Sequence, residues 1–515
     1  MNYEHTNYEH TNYDTMIKKI LSLLAIGILC APLAIAQQKA EPMVAYRKND
    51  IWHFYNSNNE LMYNHNLVAP SMVGSYINGV ARVRGPVGVS KTLEIKVGHT
   101  LIDEKGKFID LKLPDSLDWR IINVFWLGKE RVTEVTNNNN GTIAFVNGKN
   151  KLVPTTPLYY TKNIGEGMLV GYGKMPWRAT EADLNIPDPN TTDVDYQLWS
   201  ITNAAIITTI KAQEFGNSAK GLIPAKKGGK WGIINIKGQW VAPAKFAKMG
   251  QPTMSAGDAS MEDLDISISE GAIPATEDGE KWGLINTQGQ WLVKPEFKFM
   301  VCFSNSIWFA MNSEYNMKTF NIAGKPISLA PANLSTENKI AQISTYETYN
   351  NSPLISLSFV GTNGFYVYNT QTKKTIYDCK ECTILFADEN TIFVAQNDGN
   401  QLFVSATGKT TTLEKNSKTQ YFLPFQHNIM AAVDFDTQLF GYINREGQWL
   451  IKPTIQTHNN ESPQIVAPTF IYNFSGEAHE FYDHKGKLIR RDPVEDSADW
   501  DMMSPLYGEY WSAFD

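Results

Sequence analysis

Residues 282–295 read Trp282-Gly283-Leu284-Ile285-Asn286-Thr287-Gln288-Gly289-Gln290-Trp291-Leu292-Val293-Lys294-Pro295, and the fold is decided here. Trp282 to Ile285 is a short apolar run that ends at Asn286. Thr287-Gln288-Gly289 is a turn whose glycine can take φ > 0, and Gln290 to Val293 returns as the partner strand. Pro295 lacks an N–H and suits the end of that returning strand. Upstream, Gly271 to Ala275 reads as a further short strand, so the expected unit is a meander of about three strands. A glycine at 283 weakens a strand unless something needs its space. The inference is that a tryptophan of the same or the next unit lies over it.

The pattern returns twice. Residues 219–246 carry Trp231-Gly232, Gly238 and Trp240, and residues 428–455 carry Phe440-Gly441, Gly447 and Trp449. The shared centre is aromatic-Gly-x-Ile-Asn-x-x-Gly-Gln-Trp, followed by apolar residues and proline. This resembles the WG-repeat family, also called KWG repeats. The resemblance implies an interaction module and brings no catalytic residues with it. A buried indole removes roughly 150–250 Å² from water, worth about 4–6 kcal/mol at most. Trp231, Trp240, Trp282, Trp291 and Trp449 are therefore expected as wedges between units rather than as ligand platforms.

Shorter echoes of the turn extend the array. They fall at 103–108, 146–149, 321–325, 405–409 and 483–487, with weaker ones at 56–60 and 363–374. Gly408, Gly447 and Gly486 stand 39 residues apart, whereas Gly238 and Gly289 stand 51 apart, the excess lying in an insertion at 251–265. No window sustains a helical apolar period with caps at both ends. The predicted fold is all-β, a repeat array of about ten hairpin or meander units in a propeller-like or open, solenoid-like arrangement.

Residues 17–36 have the form of a secretory signal. Lys18 and Lys19 precede an apolar run, Pro32 breaks it, and Ala34-Ile35-Ala36 places small residues before Gln37. The run is short for a membrane span. The tandem repeat at 1–15 reads as a disposable extension. The expected organisation is an extension and cleaved signal at 1–36, a degenerate β-repeat region at 37–197 and a WG-repeat region at 198–515, with a seam near 178–197. Without 1–36 the chain has 44 basic and 50 acidic residues, an even and mildly acidic balance with no footprint for nucleic acid. No later stretch is apolar enough to span a membrane as a helix. Export to the periplasm, cell surface or medium is expected.

Chemistry is scarce. Cys379 and Cys382 form a CxxC between two strands, which suits a short disulfide across a turn in an oxidising compartment better than a redox or zinc motif. Cys302 reads as a small buried hydrophobe. His479 and His484 are five apart, so on a strand they face opposite sides, and both are expected at the surface. The acidic runs at 188–195, 262–265 and 492–501 lack metal-loop spacing and read as solvated segments. Gly408-Lys409-Thr410 lacks the strand–loop–helix context of a phosphate loop. No catalytic residue, metal or cofactor is expected. The leading functional expectation is a binding or scaffold protein of the cell envelope, its partner a protein, peptide or envelope polymer met by loops such as 178–197 and 251–268. A glycan or peptidoglycan binder using exposed Trp52, Trp119, Trp126 and Trp308 is the alternative, and a hydrolase with its site in 40–215 the third.

Overall fold

Asn286 shows why asparagine stands where the repeat turns. Its Oδ1 accepts from the amides of Gln288 (3.0 Å) and Gln290 (2.9 Å), and its Nδ2 donates to Gln290 Oε1 at 3.0 Å. The main chain closes the same loop, with Asn286 N donating to Gln290 O and Gly289 N to Asn286 O. Gly289 takes φ +73°, a left-handed conformation that glycine adopts without steric penalty. Side-chain capping plus one left-handed residue makes the turn self-sufficient, so it nucleates a hairpin wherever the sequence repeats it. Asn235 and Asn444 make the same bonds, Asn321 makes the two accepted ones, and Asp103 and Asp483 substitute a carboxylate oxygen as the acceptor. Asn147 does likewise, but there the left-handed residue is Asn150 (φ +56°) and not the glycine that the sequence offers at 148. Asn312, which carries no glycine signal, caps Glu314 and Asn316 in the same way.

The computed structural model describes residues 40–41, 44–48, 51–56, 60–65, 72–73, 76–77, 80–89, 95–103, 105–111, 113, 119–137, 142–155, 158–174, 192–255, 258–303, 307–314, 316–331, 334, 339–344, 352–361, 364–388, 390–413, 419–426, 428–456, 464–465, 470–483 and 485–493. The expected signal and extension at 1–36, most of the segment 178–197, His484 and residues 494–501 of the acidic tail lie outside them. Every element among them is a strand. No helix among them is long and apolar enough to cross a membrane.

The repeating body is an antiparallel meander of four strands rather than three. Nine such sheets follow one another, spanning 119–153, 158–212, 214–246, 248–297, 299–327, 340–380, 382–412, 419–455 and 464–493. The added strand is the one the motif leaves unmarked, such as Lys248–Met249 or Glu214–Phe215, each only two residues long. A three-stranded sheet at 44–65 and a six-stranded sheet within 40–109 precede the nine. The long 51-residue spacing is explained by a separate hairpin, Gln251–Ser255 with Asp258–Asp265, inserted between the first and second strands of its sheet. A boundary between 197 and 198 would cut the strand Val194–Ser200, which pairs on both sides within the 158–212 sheet.

The returning strand of each full repeat is bulged. Ile285 pairs with Trp291, Leu284 with Val293 and Trp282 with Phe297, so four residues of the returning strand oppose two of its partner. The pairings of 231–246 and 440–455 follow the same offsets. Pro295 sits inside this bulge and not at the strand end, because the bulge leaves its missing N–H without a ladder position to fill. The bulge bends over Gly283. A Cβ there would lie 2.5 Å from Val293 O, 2.8 Å from Trp291 Cζ3 and 2.9 Å from Pro295 N. The expected indole is present, and the neighbouring backbone presses closer still.

Neighbouring sheets are joined by aromatics and by turn glycines. Trp231 is buried with Ile273, Ala275 and Ile285 of the following sheet. Trp240, half-buried, packs on the preceding sheet beside Ile210 and Ala212. Trp291 meets Phe246 of the preceding sheet edge-on at 5.6 Å, and Trp449 packs on Phe393 and Phe403. In two units the paired aromatics thus grip opposite neighbours, Trp231 and Trp240 in one, Phe440 and Trp449 in the other. The turn glycines seat on the last strand of the sheet before: Gly289 over Ala242, Gly324 over Leu292, Gly447 over Thr411 and Gly486 over Ile451. The ends of the array meet as well. Arg490 in the last sheet lies 3.6 Å from the centre of the Tyr55 ring in the three-stranded sheet and 3.9 Å from that of Phe481. The two ends of the run of sheets thus touch, as in a propeller-like arrangement.

Cys379 stands one residue before the end of its sheet, Cys382 begins the next, and the two are joined as a disulfide across that crossover with Cα atoms 5.8 Å apart. Cys302 is half-buried rather than buried. His479 is buried, with Tyr472 Oη 3.0 Å from its Nδ1, and so is not the surface residue that a charged strand predicts. Alternation places position 479 on the inner face of its strand, which its polar neighbours conceal in the sequence.

Candidate functional site

The strand Leu158–Gly165 puts Tyr160 and Lys162 on one face, two residues apart. Tyr196 projects from Val194–Ser200 in the same sheet, and the crossover through Gln213 brings Glu214 and Phe215 from the next. These residues, with Val170, line a cleft of about 240 Å³ between the 158–212 and 214–246 sheets. Two contacts hold the sheets together at its floor: Lys162 Nζ donates to Phe215 O at 2.7 Å, and Tyr196 Oη to Gln213 O at 3.0 Å.

The rings form a fixed stack. Tyr172 lies 5.5 Å from Tyr160 and 4.8 Å from Tyr196, and Tyr196 meets Phe215 edge-on at 4.9 Å. Tyr160 remains 39% exposed at the mouth. Glu214, exposed, reaches Lys226 at 3.6 Å. Burial pushes the Tyr160 phenol above its ordinary pKa, and Glu214 adds to the effect. Burial does the same to Tyr196, reinforced by Tyr172, Tyr160 and Glu214. Both therefore stay neutral at physiological pH. Burial lowers the Lys162 ammonium, opposed by the charges of Glu214 and Asp265. The cleft offers one exposed ring, hydrogen-bond donors and acceptors, and one charge of each sign.

None of the residues that the sequence singles out lies in this cleft. Trp231 and Trp282 are buried, as are Phe440 and the three glycines that follow these aromatics, while Trp240, Trp291 and Trp449 are half-buried between sheets. Trp119 and Trp126 are buried and Trp308 has no exposed surface, which removes them as exposed glycan platforms. Their own strands carry them into the cores of the 119–153 and 299–327 sheets. The Trp52 side chain lies outside the described residues. Among the described residues no group of three or more metal-type side chains comes together. Asp265 contacts Ser267 Oγ (2.5 Å) and Gln251 Nε2 (3.3 Å), while Glu262 and Asp263 have side chains outside the description. The cleft escaped the sequence because its parts come from strands about fifty residues apart, each an unremarkable tyrosine, lysine or glutamate. A lysine two positions after tyrosine in an otherwise half-apolar strand is the one local signal, and it is a weak one.

A second feature is distributed. The tips of the capped turns show the same backbone with different side chains: Ile236-Lys237, Gln288, Ile322-Ala323, Glu446 and Lys485 are exposed.

The family model described as WG containing repeat matches residues 231–252, 282–312 and 440–456. No curated protein matches the chain. Among solved structures, one of a eukaryotic initiation factor is 9% identical, with 89% of this chain and 97% of that chain covered and a TM-score of 0.34. BamB from Moraxella catarrhalis is 10% identical over 57% of this chain and 89% of its own, at a TM-score of 0.21. Apo AztD from Citrobacter koseri is 8% identical over 72% and 93%, at 0.24. Likeness at these scores carries no argument about function.

Proposed function

We propose that this chain is a non-catalytic binding or scaffold protein, exported to the cell envelope, whose array presents its turns to a protein, peptide or envelope polymer. One observation carries the reading. The parts that recur from repeat to repeat, its aromatics and glycines, are used up in joining sheet to sheet, while the turn tips differ from repeat to repeat on a constant backbone. Lys237, Gln288 and Glu446 occupy equivalent, exposed positions with three different chemistries. A rigid frame with variable loops is how repeat proteins acquire partners. The WG containing repeat supports a repeat-based role of this kind.

The test compares the purified chain with a variant in which Lys237→Glu, Gln288→Lys and Glu446→Lys are combined. These changes leave every capping asparagine and turn glycine in place. Envelope components that co-purify with the parent are expected to be lost from the variant at an unchanged melting temperature. An unchanged set of partners would refute a role for the turn tips. Export is checked separately: the envelope-fractionated protein is expected to begin at Gln37, and recovery of uncleaved chain from the cytoplasm would contradict it.

A further inference from the structure

We infer that the cleft between the 158–212 and 214–246 sheets is a subsite for one neutral sugar ring, stacked on Tyr160 and hydrogen-bonded by Glu214 and Lys162. This goes beyond the binding role proposed for the turns and does not depend on it.

The size and shape come first. About 240 Å³, open at one side, accommodates a single six-membered ring and not an extended chain. The platform is held in advance of binding. Tyr160 is backed by Tyr172 at 5.5 Å and flanked by Tyr196 at 6.3 Å, so little side-chain freedom is lost when a ligand covers its exposed face. An apolar ring face beside a polar rim matches the two-sided character of a pyranose, with C–H groups on one face and hydroxyls around the edge.

The charges then choose among ligands. An anion entering beside Lys162 meets Glu214, and a cation meeting Glu214 faces Lys162. Neither sign is favoured: Lys162 and Glu214 line the same cleft, with Lys226 3.6 Å from Glu214 and the charge of Asp265 acting on Lys162. What remains is a neutral group that takes hydrogen bonds in both directions. Lys162 gives one ammonium hydrogen to Phe215 O, and an ammonium carries three. The Glu214 carboxylate accepts only, and both phenols are uncharged. Vicinal hydroxyls, which donate and accept at once, satisfy this combination. A buried aromatic stripe would be core and nothing more, but Tyr160 is the ring that the packing leaves uncovered.

The experiment is saturation-transfer NMR on the purified chain at millimolar sugar. The probes are glucose, galactose, mannose and N-acetylglucosamine, each as the free sugar and as its methyl glycoside. Saturation is expected on the ring protons of at least one of them. Tyr160→Ala and the isosteric Glu214→Gln are each expected to reduce it several-fold; Glu214 is exposed enough to leave the melting temperature unchanged, and the fold of the Tyr160→Ala variant, which gives up ring contacts with Tyr172 and Tyr196, is checked by its amide spectrum. Binding of the glycoside identifies the end of a polymer as the natural ligand, and binding of the free form alone identifies a free monosaccharide. No saturation from any of the eight compounds, or saturation indifferent to both substitutions, would overturn the assignment. So would uptake of a zwitterion such as free alanine in place of every sugar.

Discussion

Gly283 shows how little room the repeat leaves at a single atom. A methyl group there would lie 2.5 Å from the Val293 carbonyl and 2.9 Å from the Pro295 nitrogen, both backbone atoms that cannot rotate away. Gly283→Ala is expected to destabilise the chain by about 2–3 kcal/mol through forced backbone movement, read from the urea midpoint. Gly128, unlike Gly283, has positive φ (+64°) but has nothing within 4 Å, so Gly128→Ala is expected to cost only about 1 kcal/mol for the conformation alone. Equal losses at the two sites would show that the bulge does not press on Gly283. The need for space at Gly283 was readable in the sequence, since a glycine in a strand demands a reason. That the reason is chiefly backbone was not, because the bulge appears only once both strands are paired. Asp278 gives a second test at this scale. The amides of Lys281 and Glu280 and the Thr276 hydroxyl all donate to its Oδ1, and they hold the carboxyl down to about 2. A depressed carboxyl stabilises the fold above its unfolded pKa, and that contribution disappears as pH falls toward the folded value. The Asp278 side-chain resonance is expected to titrate near pH 2, and a midpoint near 4 would mean the turn is not formed in solution.

The capped turn is the element that the sequence announces most clearly, because its five residues satisfy one another. Asn286→Ala removes two accepted bonds and one donated bond and is expected to cost about 1–2 kcal/mol. Asn286→Asp is expected to be far milder, since Asp103 and Asp483 cap identical turns with a carboxylate. Thermal unfolding of the two variants side by side decides it: if the aspartate variant falls as far as the alanine one, acceptance by Oδ1 is not what holds the turn. The first strands of the 214–246 and 248–297 sheets are the opposite case. Glu214–Phe215 and Lys248–Met249 are two residues long and have no periodicity to detect. They exist because the strands that follow, Leu222–Lys227 and Ala272–Thr276, leave an edge within reach. That is why a three-strand unit was the natural expectation and a four-strand unit the outcome.

Across the whole molecule the weak point of a ring is the place where its ends join. Arg490 lies between Tyr55 and Phe481, linking the three-stranded sheet at 44–65 to the last sheet at 464–493. Elsewhere each sheet is tethered to the next by a covalent crossover, but this contact has only the packing. Arg490→Ala is expected to raise amide exchange in those two sheets, by about 1–2 kcal/mol of lost protection, and to leave 214–297 unchanged. A uniform change over all sheets would mean the array does not open there. By itself the sequence determined the strands, the turns and the wedging aromatics, because hairpin chemistry is complete within some fifteen residues and alternation reports which side is apolar. Only the tertiary structure decided the fourth strand, the meeting of the ends, the burial of Trp308 and His479, and the tyrosine-lined cleft. Each of these depends on which distant surfaces come to face one another, and residues fifty or four hundred positions apart carry no mutual signal along the chain.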